Sequence, residues 1–497
     1  MTVRTHRTRL ALVLPLLIAL GACGTTNRNL VTGESQRGAY SWAQEVQLGT
    51  EADRQIQAQF GVYDDDPALT AYVQRIAEEV LSVSAYTDPG TPAEIRSTPF
   101  TFRVLDSPVV NAFALPGGFV YVTRGLLAHL ENEAQLAVVL GHEIGHVLGR
   151  HSSEQAQRAQ LSQFGLLGAA VVGGIVGGGS VAEGIANYGG TGLQLLQLKY
   201  GRGAEREADL AGVAYAEFAG YDATEASDFF RSLERLSAQS GQSVPNFLST
   251  HPNPGERAQN IPQIAASDPR YNGTEVGAAE YLREIDGIIL GEDPRQGYTE
   301  NNTFYHPELR FVLDYPRGWQ TQNSPQAFVM GEPNGRAVIQ LTLAQESSAE
   351  AAARALASQQ GVRVQTNRAV NVNGSRGYRV EGTAAQQNGQ LGFSATFIEY
   401  GGNVYQVMGL TAAASLRQYV SAFRSTADSF DRLTDRRYID RQPTRLEVTT
   451  ARSSTTLQSL LRGRTLPQDM TEEEVAILNQ MNLGDTVPAG SMVKLPE

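Results

Sequence analysis

Five residues, His142-Glu143-Ile144-Gly145-His146, narrow the folds open to this chain more than any other stretch. Four residues of α-helix turn through roughly 400°, so two histidines at this spacing share one helix face a single turn apart. The flanks read as helix. Residues 132–149 carry apolar Leu136, Val139, Leu140 and Val147, with Asn132 as N-cap and Gln135 three residues later. On that helix His142 and His146 can set two ring nitrogens about 2.0–2.1 Å from one zinc ion. Glu143 stands about 100° round the helix from His142 and so flanks the open coordination position. A carboxylate there can take a proton from zinc-bound water and later deliver it to a leaving amine.

The remaining ligands must be His, Asp or Glu, because Cys23 is the only cysteine and thiolate-rich sites are excluded. Two kinds of third ligand compete. A continuation HxxGxxH finds Gly149 in place, but the position that needs histidine holds Ser152 and His151 comes one residue early. If the helix runs on, His151 sits about 140° from His146 and points away from the metal, at the surface or behind a ligand. A glutamate from a second helix is the other choice, and Glu205-Arg206-Glu207-Ala208-Asp209 supplies one. At spacing four, Glu205 can bind zinc while Asp209 hydrogen-bonds the far nitrogen of a ligand histidine; Glu207 faces elsewhere and is expected in solvent.

These motifs resemble the HtpX/BepA/CAAX-prenyl-endopeptidase family of zinc proteases, in its periplasmic lipoprotein branch, over roughly residues 45–265. The stretch from Asn111 to Val122, with Pro116, Gly117 and Gly118, is similar to the family's substrate strand, whose edge can pair with an extended peptide. Ser249-Thr250-His251-Pro252 with Arg257 is similar to its closing motif; at Gly201-Arg202 the usual serine is missing. The resemblance implies one zinc per chain on His142, His146 and Glu205. It also implies catalysis by Glu143, with His251 or Arg257 reaching the cleft. His251 can donate to the oxyanion or bind the open zinc position and hold the site latent.

The expected architecture is multidomain. Arg4, Arg7 and Arg9 precede an apolar run, Leu10 to Leu20, of signal-peptide length, and Leu20-Gly21-Ala22-Cys23 resembles the bacterial lipobox. Residues 1–22 are thus expected as signal peptide, Cys23 as the lipidated residue and 23–44 as tether, with Gly24 favouring the outer membrane and the chain facing the periplasm. A mainly α, gluzincin-type metallopeptidase domain with a small β element is expected at 45–290, then a linker at 291–303. An α+β domain resembling the PsbP/Mog1 type follows at 304–435, and a small LysM-like domain at 440–497, which implies peptidoglycan as a partner. Residues 159–182, uncharged and glycine-dense, read as a hairpin near the site rather than a spanning helix.

Acidic residues outnumber basic ones 52 to 40, for a net charge of -12, which argues against a nucleic-acid partner. The leading expectation is an endopeptidase acting on extended or misfolded envelope polypeptides. The alternative is a client-binding assembly factor or cell-wall-tethered scaffold with little proteolysis.

Overall fold

A computed structural model describes residues 25–157, 200–239, 247, 251–386, 389–464, 466–467 and 470–497. The signal segment, Cys23, Ser249, Thr250 and the glycine-dense stretch 159–182 lie outside them. The chain opens with a hairpin, β1 (Thr25–Arg28) and β2 (Ser35–Gly38), ahead of α1 (Trp42–Phe60), which starts at a capping box on Ser41 and Gln44. Asp66 caps α2 (Pro67–Ser82) and Pro67 occupies its first turn, where a missing N–H costs nothing. The short α3 (Ala93–Arg96) leads into a three-stranded sheet of β3 (Thr101–Leu105), β4 (Ala112–Leu115) and β5 (Phe119–Thr123). Its order is β3-β5-β4, with β3 and β5 parallel and β4 antiparallel to β5.

Helix α4 (Arg124–His129) precedes α5 (Glu133–Leu148), whose sixteen residues are all buried. Asn132 caps α5 by accepting from the Gln135 N–H at 2.9 Å, while the Gln135 side chain accepts from Glu131 N–H at 2.9 Å rather than closing a box on Asn132. Around this helix pack α2 and α6 (Arg202–Phe218), with α7 (Ala226–Gln239), α8 (Pro254–Ala265) and α9 (Ala278–Glu284) completing the helical part. The approach of α5 to α6 is close because glycines face each other. A Cβ on Gly141 would lie 3.1 Å from Gly212 Cα, and one on Gly212 would lie 2.8 Å from Val138 O. That closeness brings the first turn of α6 up to the face of α5 that carries the histidines.

Residues 291–303, expected as a linker, carry β6 (Tyr298–Glu300) and are pinned near their start. Arg124 donates to Ile289 O and Gly291 O, and Arg295 pairs with Asp65 at 2.9 Å. Strands β7 (Thr303–His306) and β8 (Phe311–Asp314) then pair with β6. A seven-stranded antiparallel sheet is built from β9 (Gln320–Ser324), β10 (Ala327–Gly331), β11 (Ala337–Leu343), β12 (Val362–Val372), β13 (Ser375–Gln386), β14 (Gly389–Tyr400) and β15 (Asn403–Ala412). Its order is β12-β13-β14-β15-β11-β10-β9. Consecutive Phe397 and Ile398 belong to different apolar clusters, as alternation across a strand requires. Helix α10 (Ala349–Ala357) joins the Phe397 cluster and α11 (Leu416–Asp428) the other.

The last sixty residues form β16 (Leu446–Thr450) paired with β19 (Met492–Pro496), two short helices and the small pair β17–β18 (Thr455–Thr456 with Thr486–Val487). This unit sits against the helical part. Lys494, fully buried, donates to Ala128 O and Leu130 O and pairs with Glu131 at 2.9 Å, just ahead of α5. Leu446 and Leu478 join the apolar core of the helical part. Among the described residues no helix is long and apolar enough to cross a membrane.

Candidate metal centre

On α5 the two histidines meet as their spacing demands, with His142 Nε2 and His146 Nε2 3.0 Å apart. Glu205, in the first turn of α6, puts Oε2 3.7 Å from His142 Nε2 and Oε1 3.5 Å from His146 Nε2. His251 enters from the segment before α8, its Nδ1 3.2 Å from His142 Nε2 and 3.1 Å from Glu205 Oε2. One ligand atom from each of these four side chains lies within 4.8 Å of all the others, and all four are buried. Glu143 is 0% exposed, and neither of its carboxylate oxygens has a hydrogen-bond partner among the described residues. His251 Nε2 stands 3.5 Å from Glu143 Oε1.

This donor set fits a divalent metal. Burial, with the nearby Arg257 charge, holds His142 down to about 4, and burial holds His146 well below the usual histidine range. Both imidazoles are therefore neutral near pH 7, the state a metal requires. The Asp209 carboxylate lies 3.0 Å from His142 Nδ1, where it can accept a hydrogen bond from an Nδ1–H and so leave the Nε2 lone pair for a metal; Arg257 Nη2 lies 3.0 Å from the same nitrogen. Burial alone would raise Asp209, but Arg257 and the His142 contact outweigh it and hold it at about 2. Burial pushes Glu143 up to about 7, the Glu205 charge adding to the rise and His251 opposing it.

Arg257 packs against Asp209 and His142. Its guanidinium donates to Asp209 Oδ1 at 2.9 and 2.5 Å, lies 4.1 Å over the Phe230 ring and sits behind His142. The stretch from Asn111 to Val122 folds as two strands rather than one, turning at Gly117 and Gly118, both at positive φ, 82° and 96°. Strand β4 is the edge of its sheet. Ala114, Leu115 and Pro116 line a crevice whose other wall is His146, Val147 and Arg150. The Asn111 side-chain oxygen is buried without a partner among the described residues.

Of the two places expected for His151, the surface or behind a ligand, the structure has the second, though by a different path from a continuing helix, and the expectation for Glu207 is corrected. Helix α5 stops at Leu148, and Arg150 takes the left-handed conformation, φ 56°, so the chain folds back and His151 Nδ1 comes 2.8 Å from His146 Nδ1. Glu207 is not simply solvated: its carboxylate lies 3.2 Å from His151 Nε2 and accepts from Asn29 at 2.6 Å. Tyr200, which no sequence pattern singled out, stacks on His146 with ring centroids 4.1 Å apart and shares a hydrogen bond with Ser152. The clustering of His142, His146 and His151 within ten positions was the one signal that could have drawn His151 to the site.

Residues 67–265 match Peptidase family M48. The beta-barrel assembly-enhancing protease of Yersinia pestis is 32% identical over 233 residues, covering 45% of this chain and 44% of that protein. The mitochondrial metalloendopeptidase OMA1 of Bos taurus is 36% identical over 166 residues, covering 33% of this chain and 32% of its own. The chain thus spans less than half the length of either relative. The solution structure of cyanobacterial PsbP from Synechocystis sp. PCC 6803 is 17% identical and covers 28% of this chain and 91% of its own, with a TM-score of 0.22, too loose a likeness to carry an argument.

Proposed function

With an M48 peptidase domain at residues 67–265 as premise, we propose that the chain is a zinc metalloendopeptidase that hydrolyses extended or misfolded envelope polypeptides. The observation that carries this reading is the buried His142, His146, Glu205 and His251 group beside the fully buried carboxylate of Glu143. His142 Nε2, His146 Nε2 and the Glu205 carboxylate would hold the zinc. When bound, zinc supplies Lewis acidity that polarises a scissile carbonyl and makes a water more acidic. The chain's own groups do the rest. Glu143 takes the proton from the attacking water as its oxygen bonds the carbonyl carbon, then passes that proton to the amine nitrogen as the C–N bond breaks. Asp209 keeps the proton of His142 on Nδ1, and Arg257 keeps Asp209 ionised. The β4 edge pairs with an extended substrate backbone and holds the scissile bond against His146 and Glu143.

Soluble protein lacking the anchor, incubated with unfolded casein, is expected to cut it, and a chelator followed by added zinc should abolish and restore the cleavage. Binding of casein without cleavage at any zinc level would favour the alternative, a client-binding assembly factor or tethered scaffold. The name of the Yersinia pestis relative points to assembly of β-barrel proteins, which fits a periplasmic role in envelope quality control.

In this arrangement His251 Nδ1 lies among the ligand atoms, within 3.2 Å of His142 Nε2 and of both Glu205 oxygens. That supports a latch, in which His251 fills the position a substrate or water would take. His251→Ala should then raise the rate of casein cleavage. A loss on the order of 10²-fold would make His251 an oxyanion donor instead, and an unchanged rate with unchanged zinc content would remove both roles.

The remaining assignments are lipidation at Cys23, outer-membrane anchorage facing the periplasm, a PsbP/Mog1-like docking domain at 304–435 and a LysM-like domain at 440–497 with peptidoglycan as its partner. Cys23→Ser should release the mature chain from membranes, and retention after a salt wash would demand another anchor.

A further inference from the structure

Behind His146, on the side away from the metal position, polar side chains from three distant segments stand in a line. His151 Nδ1 is 2.8 Å from His146 Nδ1, His151 Nε2 is 3.2 Å from Glu207 Oε2, and Asn29 Nδ2 donates to that same oxygen at 2.6 Å. His151 is 2% exposed and Asn29 3%, while the Glu207 side chain between them is partly exposed. A short contact between two imidazole nitrogens needs one proton between them, and only one proton order suits a metal. If His146 Nδ1 carries the hydrogen and donates to His151 Nδ1, the His146 Nε2 lone pair faces His142 and Glu205. His151 then carries its hydrogen on Nε2 and donates to the Glu207 carboxylate, which also accepts from Asn29. In the reverse order His146 Nε2 would present a hydrogen to the metal position, and His151 Nε2 would turn a lone pair toward a carboxylate.

The geometry points to Glu207 and His151, locked by Asn29 of the N-terminal hairpin, as positioning residues that hold His146 in its metal-binding tautomer. This rests on the reading of His146 as a zinc ligand. The fold is shaped for it. A Cβ on Gly149 would lie 2.5 Å from His151 Nε2, so only glycine lets the ring lie there. The left-handed Arg150, a conformation that non-glycine residues adopt only at a cost, is held by hydrogen bonds from its guanidinium to Glu45 and to Tyr40 O. The hairpin also covers the end of α5, with Leu30 N–H donating to Leu148 O at 3.1 Å and Gln36 to Gly149 O at 2.6 Å. Helix-terminal carbonyls that would otherwise lack partners are thereby satisfied. The segment that begins two residues beyond Cys23 is therefore part of the metal centre and more than a tether.

The test uses the full chain carrying Glu207→Gln, His151→Phe or Asn29→Ala. Zinc affinity is read by competition with a chromophoric chelator, the ligand field by the visible spectrum after cobalt loading, and folding by the Tm of the metal-free protein. Glu207→Gln preserves shape at a partly exposed position and is the variant least able to disturb folding. With metal-free Tm unchanged, Glu207→Gln and His151→Phe are expected to bind zinc about 10- to 100-fold more weakly and to shift the cobalt bands, Asn29→Ala less so. Affinities within about twofold of the parent's for Glu207→Gln would overturn the inference, as would weak binding by His151→Phe alone, because the ring would then matter for packing only. A parent chain that takes up no zinc would sink the metal-centre reading itself, and the relay with it.

Discussion

Glu143→Gln is expected to bind zinc as the parent does and to cleave unfolded casein roughly 10²- to 10⁴-fold more slowly, the range that a positioned acid–base group contributes. The amide has the carboxylate's shape and meets the same buried walls, so the ligand helix should not move. What it loses is the capacity to accept a proton. The native carboxylate suits that task because burial pushes it up to about 7, which makes it a far better base than an exposed glutamate. Zinc content by atomic absorption and casein cleavage by fluorescence release check the two halves separately. Turnover near the parent rate would remove Glu143 as the base, whereas loss of zinc would show that it also supports the ligands.

Glu205→Ala should cost zinc binding more than any substitution behind the ligands does, hence beyond the 10- to 100-fold typical of outer partners. Glu205 is the only carboxylate in the four-residue group, and its two oxygens stand between His142, His146 and His251. Its removal leaves three imidazoles and an uncompensated cation. Chelator competition reads the affinity directly. A second readout is the rise in Tm on adding zinc, which follows from preferential binding to the folded chain and should vanish in the variant. Retention of one zinc per chain with the parent's affinity would move the third ligand elsewhere, and in that event His251 is the remaining candidate within reach.

The spacing of His142 and His146 was enough to read a shared helix face, because 3.6-residue periodicity turns sequence distance directly into angle. The same arithmetic brought Glu205 and Asp209 to one face of a second helix. It failed for His151 because it took the helix to continue; the reversal at Arg150, with Gly149 leaving room for the ring, brings His151 back under His146. It also misled for Glu207, since a face turned away from the zinc was equated with solvent, while His151 and Asn29 occupy that side. In the sheet-rich part, strands with apolar alternation such as Ala337–Leu343 were legible. The largely exposed and polar Val362–Val372 was not, because its pairing is fixed by the neighbouring strand Ser375–Gln386 and not by a buried face of its own.

Sequence by itself thus determined the chemistry on offer: two imidazoles and a carboxylate base on one capped helix, an acidic residue on another, and a lone cysteine that rules out thiolate ligands. These are local properties, set by covalent spacing and helix pitch. Tertiary structure alone decided the side of the ligands on which each remaining group stands. It put Arg257 behind His142, His251 among the ligand atoms, Glu207 on His151, and Asn29 across 178 positions of chain onto Glu207. Contacts of that range depend on how closely α5 and α6 pack and on where the N-terminal hairpin covers the helix end. Both are fixed by the removal of apolar surface from water and by the pairing of buried polar groups across the whole fold, which no local pattern records.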